Sequence, residues 1–158
     1  DKTSYLSLKY SKLTKIVKGG QTRQQSSYNG VFSVSEDNVN VLIHDCARPF
    51  VSSQIISECI TALKKYKAVN TAIETTDTII EVNDNNIISG MPARKYIKRC
   101  QTPQCFDINI IKEAHKKALK DNFTATDDCG LVFQYNLADI HVIQGSNDNI
   151  KITYREDV

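Results

Sequence analysis

Short β-branched apolar runs alternate along this chain with stretches whose apolar residues recur at helical spacing. Residues 13–18 read as a short strand ending in Gly19-Gly20, and residues 23–34 as a helix opened by that turn. Val39-Asn40-Val41-Leu42-Ile43 stops abruptly at His44-Asp45, which predicts a strand buried on both faces. Ser52-Ser53 supplies an N-cap, and Ile55, Ile56, Cys59, Ile60 and Leu63 follow as a buried helical stripe. Residues 68–75 predict the next strand. Residues 78–82 and 87–88 flank Asn83-Asp84-Asn85-Asn86, a turn-forming composition, so this stretch predicts a hairpin arm over residues 77–92. Such an insertion projects from the sheet edge, where it can pair with another chain. Asp107 is placed to cap a helix with Ile110, Ile111, Ala114, Ala118 and Leu119 on its inner face. Thr126-Asp127-Asp128 opens another ahead of Leu131-Val132-Phe133, and residues 140–143 and 149–153 read as closing strands. The alternation predicts an α/β fold, a three-layer sandwich around a mostly parallel sheet, with residues 1–158 as one domain.

Composition narrows the partners. The 158 residues are 41% hydrophobic and 24% charged, with a net charge of +2. That surplus is too small to single out nucleic acid or an anionic membrane as the main partner. No apolar run approaches the roughly 20 residues that span a bilayer. The five cysteines, Cys46, Cys59, Cys100, Cys105 and Cys129, form no Cys-x-x-Cys pair and leave an odd one. With no signal-peptide pattern, this predicts reduced thiols in a cytoplasmic protein. His44, His115 and His141 are not spaced with the cysteines to build a zinc site.

In open α/β sheets, ligands bind beyond the carboxyl ends of the strands. Two polar clusters fall there: Gly19-Gly20-Gln21, and His44-Asp45-Cys46-Ala47-Arg48-Pro49. A carboxylate at a strand end is well placed to hold Mg²⁺, and an arginine three residues on can face the same crevice and meet phosphate. Asp45 and Arg48 can equally form a local ion pair that closes the turn. The glycine pair is by itself only a turn signal, Ser26 and Ser27 fit either a base or phosphate contact or a solvated helix face, and His44 reads as structural. Arg94, Thr102, Thr126 and Lys151 recur near element ends. Gathered around one crevice, such groups suit a phosphorylated substrate meeting a metal-bound nucleotide, where catalysis is mainly positioning and charge stabilisation.

Four segments in order carry a resemblance: Gly19-Gly20-x-x-Arg23-x-x-Ser26, His44 to Pro49, Gln101-Thr102-Pro103-Gln104-x-Phe106, and Thr126-Asp127-Asp128 followed by Asn149-Ile150-Lys151-Ile152-Thr153. Together they resemble the 2-C-methyl-D-erythritol 4-phosphate cytidylyltransferase family, which also contains the D-ribitol 5-phosphate cytidylyltransferases. The resemblance implies a Rossmann-like fold whose projecting β-arm builds a homodimer. It implies transfer of CMP from CTP to a polyol phosphate, with Mg²⁺ as cofactor and release of pyrophosphate. Gly20, Gln21 and Ser26 would contact the cytidine, Asp45 would hold the Mg²⁺, and Arg48 would brace that turn. Thr78, Arg94, Thr102, Thr126 and Lys151 would receive the polyol phosphate, with Arg94 and Lys151 as catalytic cations. Residues 91–97 and 125–129 lean towards the ribitol-phosphate enzymes over those of isoprenoid synthesis. Nothing in residues 1–18 matches the family's opening strand and glycine-rich triphosphate loop, and the family continues beyond Val158. The expectation is an N-terminally incomplete piece, inactive alone. The rival reading is a non-catalytic dimerising or nucleotide-sensing module, and a third is a transferase using another nucleotide.

Overall fold

The computed structural model describes Tyr5, Leu6 and residues 9–157. Its central sheet is organised around a strand that the sequence pattern did not reveal. β5 (Lys98–Asp107) lies between β1 (Asn40–Ile43) and β2 (Ala68–Glu74), antiparallel to both, and β6 (Ile140–Gln144) pairs parallel to β2 on the far edge. β1, β2 and β6 therefore share one direction, and only β5 opposes them. Pro103 and the polar side chains around it mask β5, because proline has no N–H for a ladder. The register jumps between Asn70 opposite Gln104 and Ala72 opposite Cys100, so β5 bulges around Pro103. There the Thr71 hydroxyl donates to the Pro103 carbonyl at 2.8 Å.

Helices cover both faces. α1 (Arg23–Phe32), α3 (Ile108–Asp121) and α4 (Asp128–Gln134) close over Ala68 and Phe106 with Val31, Ile111 and Leu131. On the opposite face, α2 (Ser53–Ala62) sets Ile55 and Cys59 against Val69, Cys105 and Ile143. Neighbouring residues of β2 and β5 thus feed opposite layers, as the alternation of a pleated strand requires. This is the expected Rossmann-like three-layer sandwich. Three caps follow the sequence too: Ser52, Asp107 and Asp127 each accept a main-chain N–H from the first turn of their helix, and Thr22, which the sequence reading passed over for the glycine turn, does the same for α1.

Several local expectations fail. β1 is not buried on both faces, because it sits at the sheet edge and α2 does not reach it; Asn40 and Leu42 are exposed. Residues 13–18 form no strand. Lys15 Nζ donates to the Ser33 carbonyl and Asn29 Nδ2 to the Lys18 carbonyl, so this segment is tied to α1 and not to a ladder. Residues 149–153 form no strand either, and Ile152 N–H donates to the Ala47 carbonyl at 2.8 Å. Ile60, Leu119 and Phe133 point to solvent, while Ile108 and His115 take places in the buried face of α3. The arm forms as expected: β3 (Glu81–Val82) and β4 (Ile88–Gly90) make a separate two-stranded sheet. Asn83 Oδ1 accepts N–H groups from Asn85 and Ile87 across its turn. All five cysteines are free.

Candidate active site

β1 ends at Ile43, and the chain turns through His44 to Pro49 beyond the sheet. Arg48 N–H donates to the Asp45 carbonyl at 2.9 Å, closing the turn. Its orientation is set from β5. The Asp45 N–H donates to Thr102 Oγ1 at 3.0 Å, and Thr102 Oγ1 lies 2.9 Å from His44 Nδ1. His44 Nε2 is 2.9 Å from the Arg48 carbonyl, which can only accept, so Nε2 carries the proton and Nδ1 accepts from the Thr102 hydroxyl. His44 is therefore structural, as the sequence reading held. Thr102 is 4% exposed with its hydroxyl engaged on both sides, so in this arrangement it acts as a strut and presents nothing to a phosphate.

Three cations surround the Asp45 carboxylate. Lys151 Nζ is 3.0 Å from Oδ2, Arg23 Nε is 3.3 Å from Oδ1, and Arg48 Nε is 3.9 Å from Oδ2. Burial alone would raise the Asp45 carboxyl, but the Lys151 hydrogen bond and the Arg23 charge outweigh it and hold it below the usual range. Arg48 is anchored by Nη1 donating to the Asn149 carbonyl at 2.7 Å. Asn149 is buried and donates in turn to the Thr102 carbonyl, while Gln101 Nε2 donates to the Ser146 carbonyl. This polar layer brings residues 146–152 over the turn and delivers Lys151 to Asp45.

Arg23 stood in the sequence motif with no role attached, and Asp128 likewise. The guanidinium reaches past Asp45 to Asp128 Oδ2, 2.8 Å from Nη1. Burial would lower the Arg23 pKa, but the charges of Asp128 and Asp45 raise it above its ordinary value. The paired aspartates held the clue: Asp127 spends its carboxylate on the α4 cap and on Gln104, leaving the next one free to turn inward.

The remaining expected residues fall into separate groups. The Gly20 N–H donates to Ser26 Oγ at 3.0 Å, and a Cβ on Gly20 would collide with Gln25, so the glycine permits this close turn. Ser26 lines a cavity of about 470 Å³ between α1 and β1, together with Arg23, Ser27 and Asp45. Gln21 lines a different one, with Tyr28 and His115. Arg48 and Lys151 share a smaller cavity of about 280 Å³ with Arg99 and Gln101. Arg94 Nη2 donates to Thr78 Oγ1 at 3.0 Å beside the arm. Thr126 is exposed just before the Asp127 cap. Among the described residues, no hydrogen bond or ion pair joins Thr78, Arg94 or Thr126 to the Asp45 group.

No three His, Cys, Asp or Glu side chains gather into a metal cluster among the described residues. Asp45 offers one hard carboxylate whose side chain is 16% exposed. That donor set fits an Mg²⁺ that draws its other ligands from substrate phosphates and water, and does not fit an all-protein cage. Among the described residues, no helix is long and apolar enough to cross a membrane.

Residues 1–158 match the family described as IspD, 2-C-methyl-D-erythritol 4-phosphate cytidylyltransferase. The protein of that name from Caldanaerobacter subterraneus subsp. tengcongensis is 43% identical over 149 residues, covering 94% of this chain and 65% of the relative. The one from Clostridium botulinum (strain Loch Maree / Type A3) is 44% identical over 152 residues, covering 95% and 66%. The crystal structure of 4-diphosphocytidyl-2C-methyl-D-erythritol synthase from Anaerococcus prevotii matches with a TM-score of 0.91 at 35% identity, covering 98% of this chain and 68% of that one. The chain spans just under two thirds of the length of these two curated relatives. All three are named for methylerythritol chemistry, and the lean towards ribitol phosphate finds no support in them.

Proposed function

Because this chain belongs to the 2-C-methyl-D-erythritol 4-phosphate cytidylyltransferase family, we propose that it serves the transfer of CMP from CTP to 2-C-methyl-D-erythritol 4-phosphate. The observation that carries this reading is the Asp45 carboxylate, fixed from behind by Thr102 and His44 and ringed by Lys151, Arg23 and Arg48. It is a site with one hard anion and several cations, and the hydroxyl–imidazole pair behind it, Thr102 with His44, is spent on the turn, with Thr102 buried from any substrate. That composition suits a phosphoryl transfer driven by positioning and electrostatics.

In this reading an oxygen of the acceptor phosphate attacks the α-phosphorus of CTP in line. A new P–O bond forms as the α–β bridging bond breaks, and the electron pair leaves with pyrophosphate. Lys151, 44% exposed and within reach of both Asp45 and the solvent-open cavity, offsets the charge on the reacting phosphates. Arg48 and Arg99 line the same cavity and add to its attraction for phosphate. Asp45 would hold Mg²⁺, which when bound supplies Lewis-acid neutralisation of phosphate oxygens. Gly20 and Ser26 close the turn at the head of α1, where cytidine would lie, with Gln21 beside it. Thr78, Arg94 and Thr126 would take the acceptor. Thr78 and Arg94 lie at the arm and make no bond to the Asp45 group among the described residues, so we assign the arm to a homodimer contact that brings them to a second copy's site. The free thiols suit a cytoplasmic setting.

The test uses the whole protein with Mg²⁺ and CTP, and reads pyrophosphate and product mass. Release is expected with methylerythritol 4-phosphate and not with ribitol 5-phosphate, and with CTP in preference to UTP or ATP. Asp45→Asn should lower the rate by roughly a hundredfold or more, as loss of a charged ligand does. Binding of CTP with no turnover on any polyol phosphate would favour a nucleotide-sensing module instead.

A further inference from the structure

Arg23 opens α1 with its guanidinium between two carboxylates of unlike surroundings. Asp45 is partly exposed and lines the cavity between α1 and β1. Asp128 is fully buried. A carboxylate is tolerated in such a place only when paired and hydrogen-bonded. Its partners are Arg23 Nη1 at 2.8 Å, the Ser27 hydroxyl, which donates to Oδ1, and His115 Nε2 at 3.7 Å. Gln104 Oε1 accepts the N–H groups of Asp128 and Cys129, which fixes where this carboxylate stands. Asp128 itself makes no hydrogen bond or ion pair with Asp45, Arg48 or Lys151 among the described residues.

A free guanidinium meets a carboxylate best side-on, with two parallel N–H bonds. Arg23 is instead shared, meeting Asp45 through Nε and Asp128 through Nη1. Asp45 Oδ2 faces Lys151, with Arg48 farther off. We propose that Asp128, acting through Arg23, is a positioning residue for Asp45: it anchors the guanidinium so that Nε meets Oδ1 and the carboxylate keeps its orientation towards Lys151 and the nucleotide site. Without the Asp128 charge, the Arg23 guanidinium loses its anchor and Asp45 loses the contact that fixes its orientation. The buried anion thus sets the orientation of a carboxylate it never touches. The inference rests on the proposed use of CTP at Asp45.

Steady-state kinetics of the whole protein test it. Asp128→Asn is expected to raise the KM for CTP about tenfold, in the range for partners that orient a ligand-binding side chain, with kcat within about threefold of wild type. A role confined to stability would instead lower the active fraction, and so kcat, leaving KM unchanged. Because Asp128→Asn disturbs a buried pair, Arg23→Lys provides a second variant at a half-buried position. A single ammonium cannot span both carboxylates, so the same rise in KM is expected. In an Arg23→Gln background, Asp128→Asn should add nothing further to KM, since the path it acts through is gone. An unchanged KM in Arg23→Lys, or additive effects in the double variant, overturns the inference while leaving the proposed function standing. Wild-type protein that releases no pyrophosphate from CTP overturns the proposed function, and the inference with it.

Discussion

Thr102 shows how much one hydroxyl can decide. It accepts from the Asp45 N–H and donates to His44 Nδ1, while His44 ties back to the Arg48 carbonyl. Its motif pointed to a phosphate ligand, because a sequence does not say which way a side chain leaves its strand. Asp45 was legible, since a carboxylate that ends an apolar run must emerge at the end of a strand. Lys151 was placed through the resemblance, although the segment carrying it is not the strand its apolar alternation suggested. Replacing Thr102 with valine keeps the shape but orphans a buried N–H and a ring nitrogen. Thr102→Val is expected to cost about 1–3 kcal/mol of stability, read as a lower urea midpoint, and to weaken turnover by loosening Asp45. Wild-type stability and activity in that variant would remove the strut.

Among the elements, β5 and the arm behave oppositely. The arm announces itself: four consecutive Asn and Asp residues between apolar pairs leave few alternatives to a turn. β5 hides, because its buried stretch opens, ahead of Cys105-Phe106, with Gln101-Thr102-Pro103-Gln104, a polar run whose side chains and carbonyls are satisfied by distant partners such as Asn149, Thr71 and Asp127. The arm exposes Ile79, Ile80, Val82, Ile87, Ile88 and Met91. Such a surface on two short strands is costly in water unless something covers it. If it seals a homodimer, as proposed, Ile87→Glu should shift the protein from dimer to monomer in analytical ultracentrifugation while its circular dichroism stays unchanged. A variant that sediments as the wild type would take Ile87 out of that contact.

For the whole molecule, the layers are joined by buried polar groups as well as by apolar cores. His115 lies on the buried face of α3 beside Asp128 and Tyr28. Burial pushes its pKa below 6.5; Asp128 opposes the shift and Arg23 adds to it. The unfolded imidazole therefore takes up a proton at higher pH than the folded one. Stability from this group is complete above about pH 6.5 and declines as pH falls below it, down to the folded pKa. Urea midpoints should fall as the pH is lowered below about 6.5, and His115→Gln should flatten that slope; an unaltered slope would assign the drop to other groups. By itself the sequence determined the alternation of layers, the caps of α2, α3 and α4, the arm and the aspartate at the end of β1. Periodicity and local hydrogen bonding specify these within a few residues of chain. Only the tertiary structure decided that a proline-bearing polar strand lies second in the sheet, and that Arg23 divides itself between Asp45 and Asp128. Those choices depend on which distant segments bury one another, and no local pattern encodes a charge pairing made across the fold.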